Sequence, residues 1–155
     1  MTPEFAYLVD RPDAVPCVID WWYTSWADRM GGDRDQQISQ LQASLGKIEL
    51  PIHVLALIEG RPVGSAALKL QELGDVFPDY QYWLGSVYVD ATFRGSKLAS
   101  QLSQHIADIA RMRELPHLYL QTVDLSGGLY ARLGWKPIQQ FQFKGKESLL
   151  MLRQL

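Results

Sequence analysis

The sequence predicts an α/β fold, with a mixed parallel and antiparallel central sheet and helices on both faces, in the order β-α-α-β-β-β-α-β-α-β-β. Three observations predict it. Strand-like runs at 52–58, 63–70 and 81–89 follow one another directly, which implies antiparallel pairing. A helical pattern over 98–114 separates the third run from a strand at 117–122, which implies a parallel crossover. Two helical patterns precede these strands, and a hairpin closes the chain.

The elements follow in order. Residues 6–9 read as a short first strand, closed by Arg11-Pro12-Asp13, and Asp13 is suited to cap a following helix. Over 14–30 the residues Val18, Trp21, Trp22, Ser25 and Trp26 sit at helical spacing, and Gly31-Gly32 ends the run. The three tryptophans have two readings: anchors of the helix on the sheet, or walls of a substrate cleft. Asp33 is placed to cap a second helix that carries Ile38, Leu41 and Leu45 on one face and stops at Gly46. Glu59-Gly60-Arg61-Pro62 turns the first hairpin. A polar loop over 71–79 holds Glu72, Asp75 and Asp79. In the next helix Leu98, Leu102, Ile106 and Ile109 repeat every three or four residues, and Pro116 lies beyond its end. A short helix over 129–133 and a hairpin of 138–143 with 147–152 complete the chain.

The 155 residues are read as one domain, 1–155. A net charge of −2 gives no general attraction to nucleic acid or to an anionic membrane, so an anion site must be local. Cys17 is the single cysteine, which excludes an internal disulfide and a multi-cysteine zinc site. His53, His105 and His117 show no ligand spacing, so no metal is expected. The N-terminal stretch lacks the basic and apolar regions of a signal peptide, and no apolar run is long enough to span a bilayer, so a cytoplasmic protein is expected.

The chemistry concentrates where the strand at 81–89 enters the helix at 98. The first amides of a helix have no intrahelical acceptor, and the helix dipole adds partial positive charge there. A turn of Arg94-Gly95-Ser96-Lys97 in front of Leu98, Ala99 and Ser100 is therefore an anion site.

That stretch, Arg94-Gly95-Ser96-Lys97-Leu98-Ala99, resembles the acyl-CoA site of the GNAT N-acetyltransferase superfamily, whose pattern is Gln or Arg, two residues, Gly, one residue, then Gly or Ala. Lys97 stands where the family usually has its middle glycine. Val87-Tyr88-Val89, followed by Asp90, is similar to the family strand that runs beside the pantetheine arm. Leu129-Tyr130-Ala131-Arg132-Leu133-Gly134-Trp135 is similar to the late family motif whose tyrosine donates a proton to the departing CoA thiolate; the asparagine common before it has no counterpart in Asp124 to Gly128.

The resemblance implies a GNAT-like fold and an N-acetyltransferase that moves acetyl from acetyl-CoA to a primary amine of a small molecule or peptide. It implies cofactor contacts at Val87, Tyr88, Val89, Arg94, Gly95, Ser96, Lys97, Leu98, Ala99 and Ser100, with oxyanion donors among the amides of 87–89 and Tyr130 as general acid. Glu72, Asp75, Asp79 and His53 are candidate bases, with Glu72 taken first. The motifs are similar to those of small members acting on aminoglycosides, peptides or protein N-termini, and do not choose among them. A monomer or a homodimer is compatible with the pattern. Lys97 and the missing asparagine also allow a non-catalytic acyl-CoA-binding sensor, and an unrelated α/β domain binding another phosphorylated ligand is the third reading.

Overall fold

The computed structural model describes residues 2–155. Its strands are β1 Glu4–Tyr7, β2 Ile52–Ile58, β3 Arg61–Lys69, β4 Trp83–Val89, β5 His117–Thr122, β6 Lys136–Phe143 and β7 Lys146–Gln154. Its helices are α1 Val15–Trp26, α2 Arg34–Ala43, α3 Leu98–Met112 and α4 Gly128–Arg132. The element order matches the sequence expectation throughout. All seven strands form one sheet in the order β1-β2-β3-β4-β5-β7-β6. Among the described residues only β4 and β5 pair in parallel, joined by the α3 crossover; the remaining neighbours are antiparallel.

The ends of the elements moved for local reasons. The chain leaves β1 after Tyr7 into a 3-10 turn, Leu8–Asp10, because Leu8 turns inward and is buried. Asp13 does not cap α1; its carboxylate pairs with Arg11 at 3.1 Å, and α1 begins without a side-chain cap. The α1 pattern breaks at Trp26 into a 3-10 turn, Ala27–Arg29, before the glycines are reached. Asp33 does cap α2, in a reciprocal box: its carboxylate accepts the Gln36 amide at 2.8 Å, and the Gln36 side chain accepts the Asp33 amide at 3.0 Å. Helix α3 ends at Met112, before Pro116, where Glu114 takes a positive φ of 60°.

Two apolar layers sandwich the sheet. On one face Leu102, Ile106 and Ala110 of α3, all fully buried, pack on Val54, Ala66 and Leu68. On the other, Val18, Ile19 and Trp21 of α1 and Leu41 of α2 cover Leu55, Leu57 and Tyr88. Each fully buried Leu or Ile contributes roughly 1.5–3 kcal/mol of transfer free energy. In a third cluster Leu73 and Phe77 of the loop between β3 and β4 pack with Trp83 of β4 and Leu150 of β7. Among the described residues no helix is long and apolar enough to cross a membrane.

Candidate active site

The site begins with a register error in β4. Ser65 pairs with Tyr88 and Ala67 with Gly85, so two steps along β3 face three along β4. The extra residue is taken up around Ser86, whose φ is +53°. A bulge of this kind bends its strand and increases its twist. Strand β4 consequently meets β5 at one register pair only, Trp83 with Tyr119, although β5 pairs with β7 along all six of its residues. Beyond that pair the two parallel strands splay. The gap is a cleft of about 540 Å³ whose walls include Leu84 to Val87 on one side and Leu120 to Thr122 on the other.

Next to the gap, β4 runs into the basic turn. Asp90 Oδ1 accepts the Thr92 amide at 3.1 Å and sets a 3-10 turn, Ala91–Phe93. The Ser96 hydroxyl donates to the Phe93 carbonyl. Gly95 has φ +83°, and α3 starts at Leu98 with no side-chain cap. The amides of Leu98, Ala99 and Ser100 therefore open the helix without a local acceptor, the condition for anion binding. Arg94 donates through Nε to the Val89 carbonyl at 3.0 Å, and its guanidinium lies 5.3 Å from the Tyr88 ring centroid. One edge of the fork is fixed to β4.

The sequence profile of the acetyltransferase (GNAT) family matches residues 17–135, from α1 through α4 to Trp135. The chain belongs to the GNAT acetyltransferase family. No curated protein sequence matches it. Solved structures match over nearly its whole length. The ribosomal-protein-alanine N-acetyltransferase from Brucella melitensis is 16% identical, with 100% of both chains covered and a TM-score of 0.76. An aminoglycoside 6'-acetyltransferase type Ii is also 16% identical, covering 97% of this chain and 96% of that one, with a TM-score of 0.74. An aminoglycoside 6'-N-acetyltransferase complexed with coenzyme A is 14% identical over 97% and 96% of the chains, with a TM-score of 0.72. At these identities the likeness establishes the fold.

In this GNAT chain the departure at Lys97 acquires a geometric meaning. Lys97 is the N-cap of α3 and adopts φ +66°, ψ +13°, the left-handed region. A residue with a Cβ is strained there by roughly 1 kcal/mol, which is a reason for glycine at that place beyond close approach to a phosphate. Lys97 is exposed.

Tyr130, on α4, lines the β4–β5 cleft. Its ring meets the Trp135 ring edge-on at 6.2 Å and packs against the α3 layer. Burial pushes its phenol above the ordinary tyrosine value, and the Ser103 hydroxyl offsets part of that. The phenol is therefore protonated at neutral pH and is available as a donor.

The four candidate bases separate. Glu72 lines the cleft, with Oε2 2.9 Å from Lys69 Nζ and only 15% of its side chain exposed. A Cβ added at Gly85 would lie 2.5 Å from that same oxygen, so the carboxylate rests directly on the β4 backbone beside the bulge. Asp75 and Asp79 are exposed and take no part in the cleft wall. His53 is buried, 5.7 Å from the Trp22 ring, in an adjoining pocket of about 460 Å³ that shares Trp22 and Lys69 with the cleft. Burial, with a smaller contribution from Lys69, lowers its pKa to about 4, so it is neutral and weakly basic. His105 stacks on Phe5 at 4.5 Å, and His117 Nε2 lies 2.6 Å from the Gln81 carbonyl.

The three tryptophans divide: all pack on the α1 side of the sheet, and two also reach the cleft. Trp21 is buried and stacks on Tyr88 at 5.5 Å, whereas Trp22 and Trp26 line the cleft. Two residues that shape the Glu72 corner were not singled out from the sequence: Lys69, its ion-pair partner, and Gly85, whose missing Cβ leaves room for its carboxylate. A glycine inside an otherwise bulky strand was the one legible signal of the two.

Proposed function

We propose that this protein transfers acetyl from acetyl-CoA to the primary amine of a small molecule or peptide by direct attack, within the acetyl-transfer class of its family. One observation supports the reading: the splay of β4 from β5 opens a cleft lined by both Val87 and Tyr130, on the strand that leads through the basic turn into the uncapped α3 N-terminus. Acetyl-CoA, when bound, supplies a thioester carbonyl and a thiolate leaving group.

The residues of this chain have distinct roles. The amides at Gly95 to Ser100, with Arg94 and Lys97, bind the pyrophosphate. The β4 backbone at Val87, Tyr88 and Val89, beyond the single register pair with β5, aligns the pantetheine arm and donates to the carbonyl oxygen as negative charge builds there. Glu72 takes the proton from the incoming ammonium, directly or through water, with Lys69 holding its carboxylate in place. The Tyr130 phenol donates its proton to the leaving sulfur. The whole of 1–155 acts as one catalytic domain, cytoplasmic and without metal, as a monomer or homodimer.

Calorimetry with acetyl-CoA and a thiol-release assay over a panel of amines test this. Binding with turnover of at least one amine is expected. Binding without turnover of any amine would leave the sensor reading, and absence of binding at millimolar ligand would remove both.

A further inference from the structure

The charged groups around the cleft bear on the acceptor. They are Arg29, Lys69, Glu72 and Lys144. Lys69 and Glu72 neutralise one another at 2.9 Å. Arg29 and Lys144 form no ion pair among the described residues. They come from separate segments, the 3-10 turn after α1 and the turn between β6 and β7. Yet both converge on the Phe143 ring, the guanidinium carbon 5.1 Å and the ammonium 5.7 Å from its centroid. Two unpaired cations are thus concentrated at the cleft of a chain whose net charge is −2. Trp22, Trp26, Met30 and Leu73 supply apolar surface to the same cleft.

We propose that the acceptor is a small amine bearing its own carboxylate, an amino acid with an apolar or aromatic side chain, and that Arg29 and Lys144 hold the carboxylate while Glu72 faces the amine. The inference rests on the acetyl-transfer reading and narrows it. A guanidinium fork matches a carboxylate in shape as well as sign. A polycation would bring further positive charge against Arg29 and Lys144, with the single carboxylate of the cleft already paired. The cleft, about 540 Å³, must also admit the thioester end, which favours a small acceptor.

Trp22 and Trp26 make binding readable by intrinsic fluorescence without turnover. Phenylalanine is titrated against phenylalaninamide, phosphoethanolamine against ethanolamine, and a polycationic aminoglycoside is added as a third arm. Phenylalanine should bind about tenfold or more tightly than its amide, and the aminoglycoside more weakly than either. The acid-to-amide ratio should collapse toward one in Arg29→Gln and Lys144→Gln, each checked for folding by circular dichroism. In the thiol-release assay these variants should raise KM for phenylalanine more than they lower kcat. A phosphoethanolamine preference above that for phenylalanine would replace carboxylate by phosphate and overturn the amino-acid assignment. Equal binding of acid and amide, or tighter binding of the aminoglycoside, would overturn the proposal outright. Failure of acetyl transfer itself would appear instead as no thiol release with any amine, and the fluorescence ratios would still decide the charge preference.

Discussion

At the scale of single residues, Tyr130 and Lys97 make opposite demands on the chain. Tyr130 keeps a proton because burial disfavours the phenolate. Tyr130→Phe keeps the ring that packs beside Trp135 and removes only the hydroxyl. Its kcat should fall about 100-fold, with acetyl-CoA affinity and melting temperature little changed. Thiol release measured across pH checks this, and unchanged turnover at every pH would remove the tyrosine from the mechanism. Lys97 combines backbone strain with a useful charge. Lys97→Gly relieves left-handed strain worth roughly 1 kcal/mol, but glycine also gains entropy in the unfolded chain, so net stability should change by less than about 1 kcal/mol. Acetyl-CoA affinity should nonetheless fall severalfold if the ammonium meets the pyrophosphate, and calorimetry alongside thermal melting separates the two effects. The family pattern at 94–99 made this turn legible, but the positive φ of Lys97 was visible only once the backbone was in hand.

Among the elements, legibility followed periodicity. Helix α3 was readable because Leu98, Leu102, Ile106 and Ile109 are its buried stripe and no other element disturbs the 3.6-residue repeat. The first hairpin was readable from Glu59-Gly60, and Ile52–Ile58 has the predicted bounds, but Arg61 and Pro62, read as part of the turn, already pair with Ile58 and Leu57 as the start of β3. Strand β4 was readable as a strand but not as a bent one. Its bulge is a slip of pairing with β3 at Ser86, and serine carries no signal for a positive φ. The tryptophan stripe on α1 was ambiguous for a physical reason: at helical spacing Trp21 points into the core, while Trp22 and Trp26, on neighbouring faces, reach the cleft. Gly85 ties these elements to function, because its missing Cβ makes room for Glu72. Gly85→Ala should displace that carboxylate and lower kcat/KM roughly tenfold or more, at a stability cost of about 1–3 kcal/mol. Steady-state kinetics and chemical denaturation together test it; a variant with normal kinetics would remove Glu72 from the proton-transfer role.

For the whole molecule, the arrangement that exposes the cleft also builds in acid sensitivity. The α1 layer must cover the sheet and still leave the splay open, and His53 on β2 is enclosed where that layer meets the pocket shared with Lys69. Its pKa in the folded protein is about 4, against about 6.5 in an unfolded chain. Between those values the unfolded state binds the proton and the folded state does not, so stability falls as pH drops through that interval. At pH 4.5 the loss should be about 2–3 kcal/mol relative to neutrality, given 1.36 kcal/mol per pKa unit. His105, also lowered chiefly by burial, acts in the same direction, with Asp108 opposing it. The exposed pairs of Asp13 with Arg11 and Asp20 with Arg34 have carboxylates shifted down, so their small contributions are lost only in stronger acid. Urea denaturation at pH 7 and pH 4.5 measures the difference. His53→Gln should lower stability at pH 7, because a packed ring is lost beside Trp22, yet shrink the gap between the two pH values to the part that His105 supplies. An undiminished gap in that variant would move the acid sensitivity away from His53 and show that its buried ring is not what the lower pH attacks.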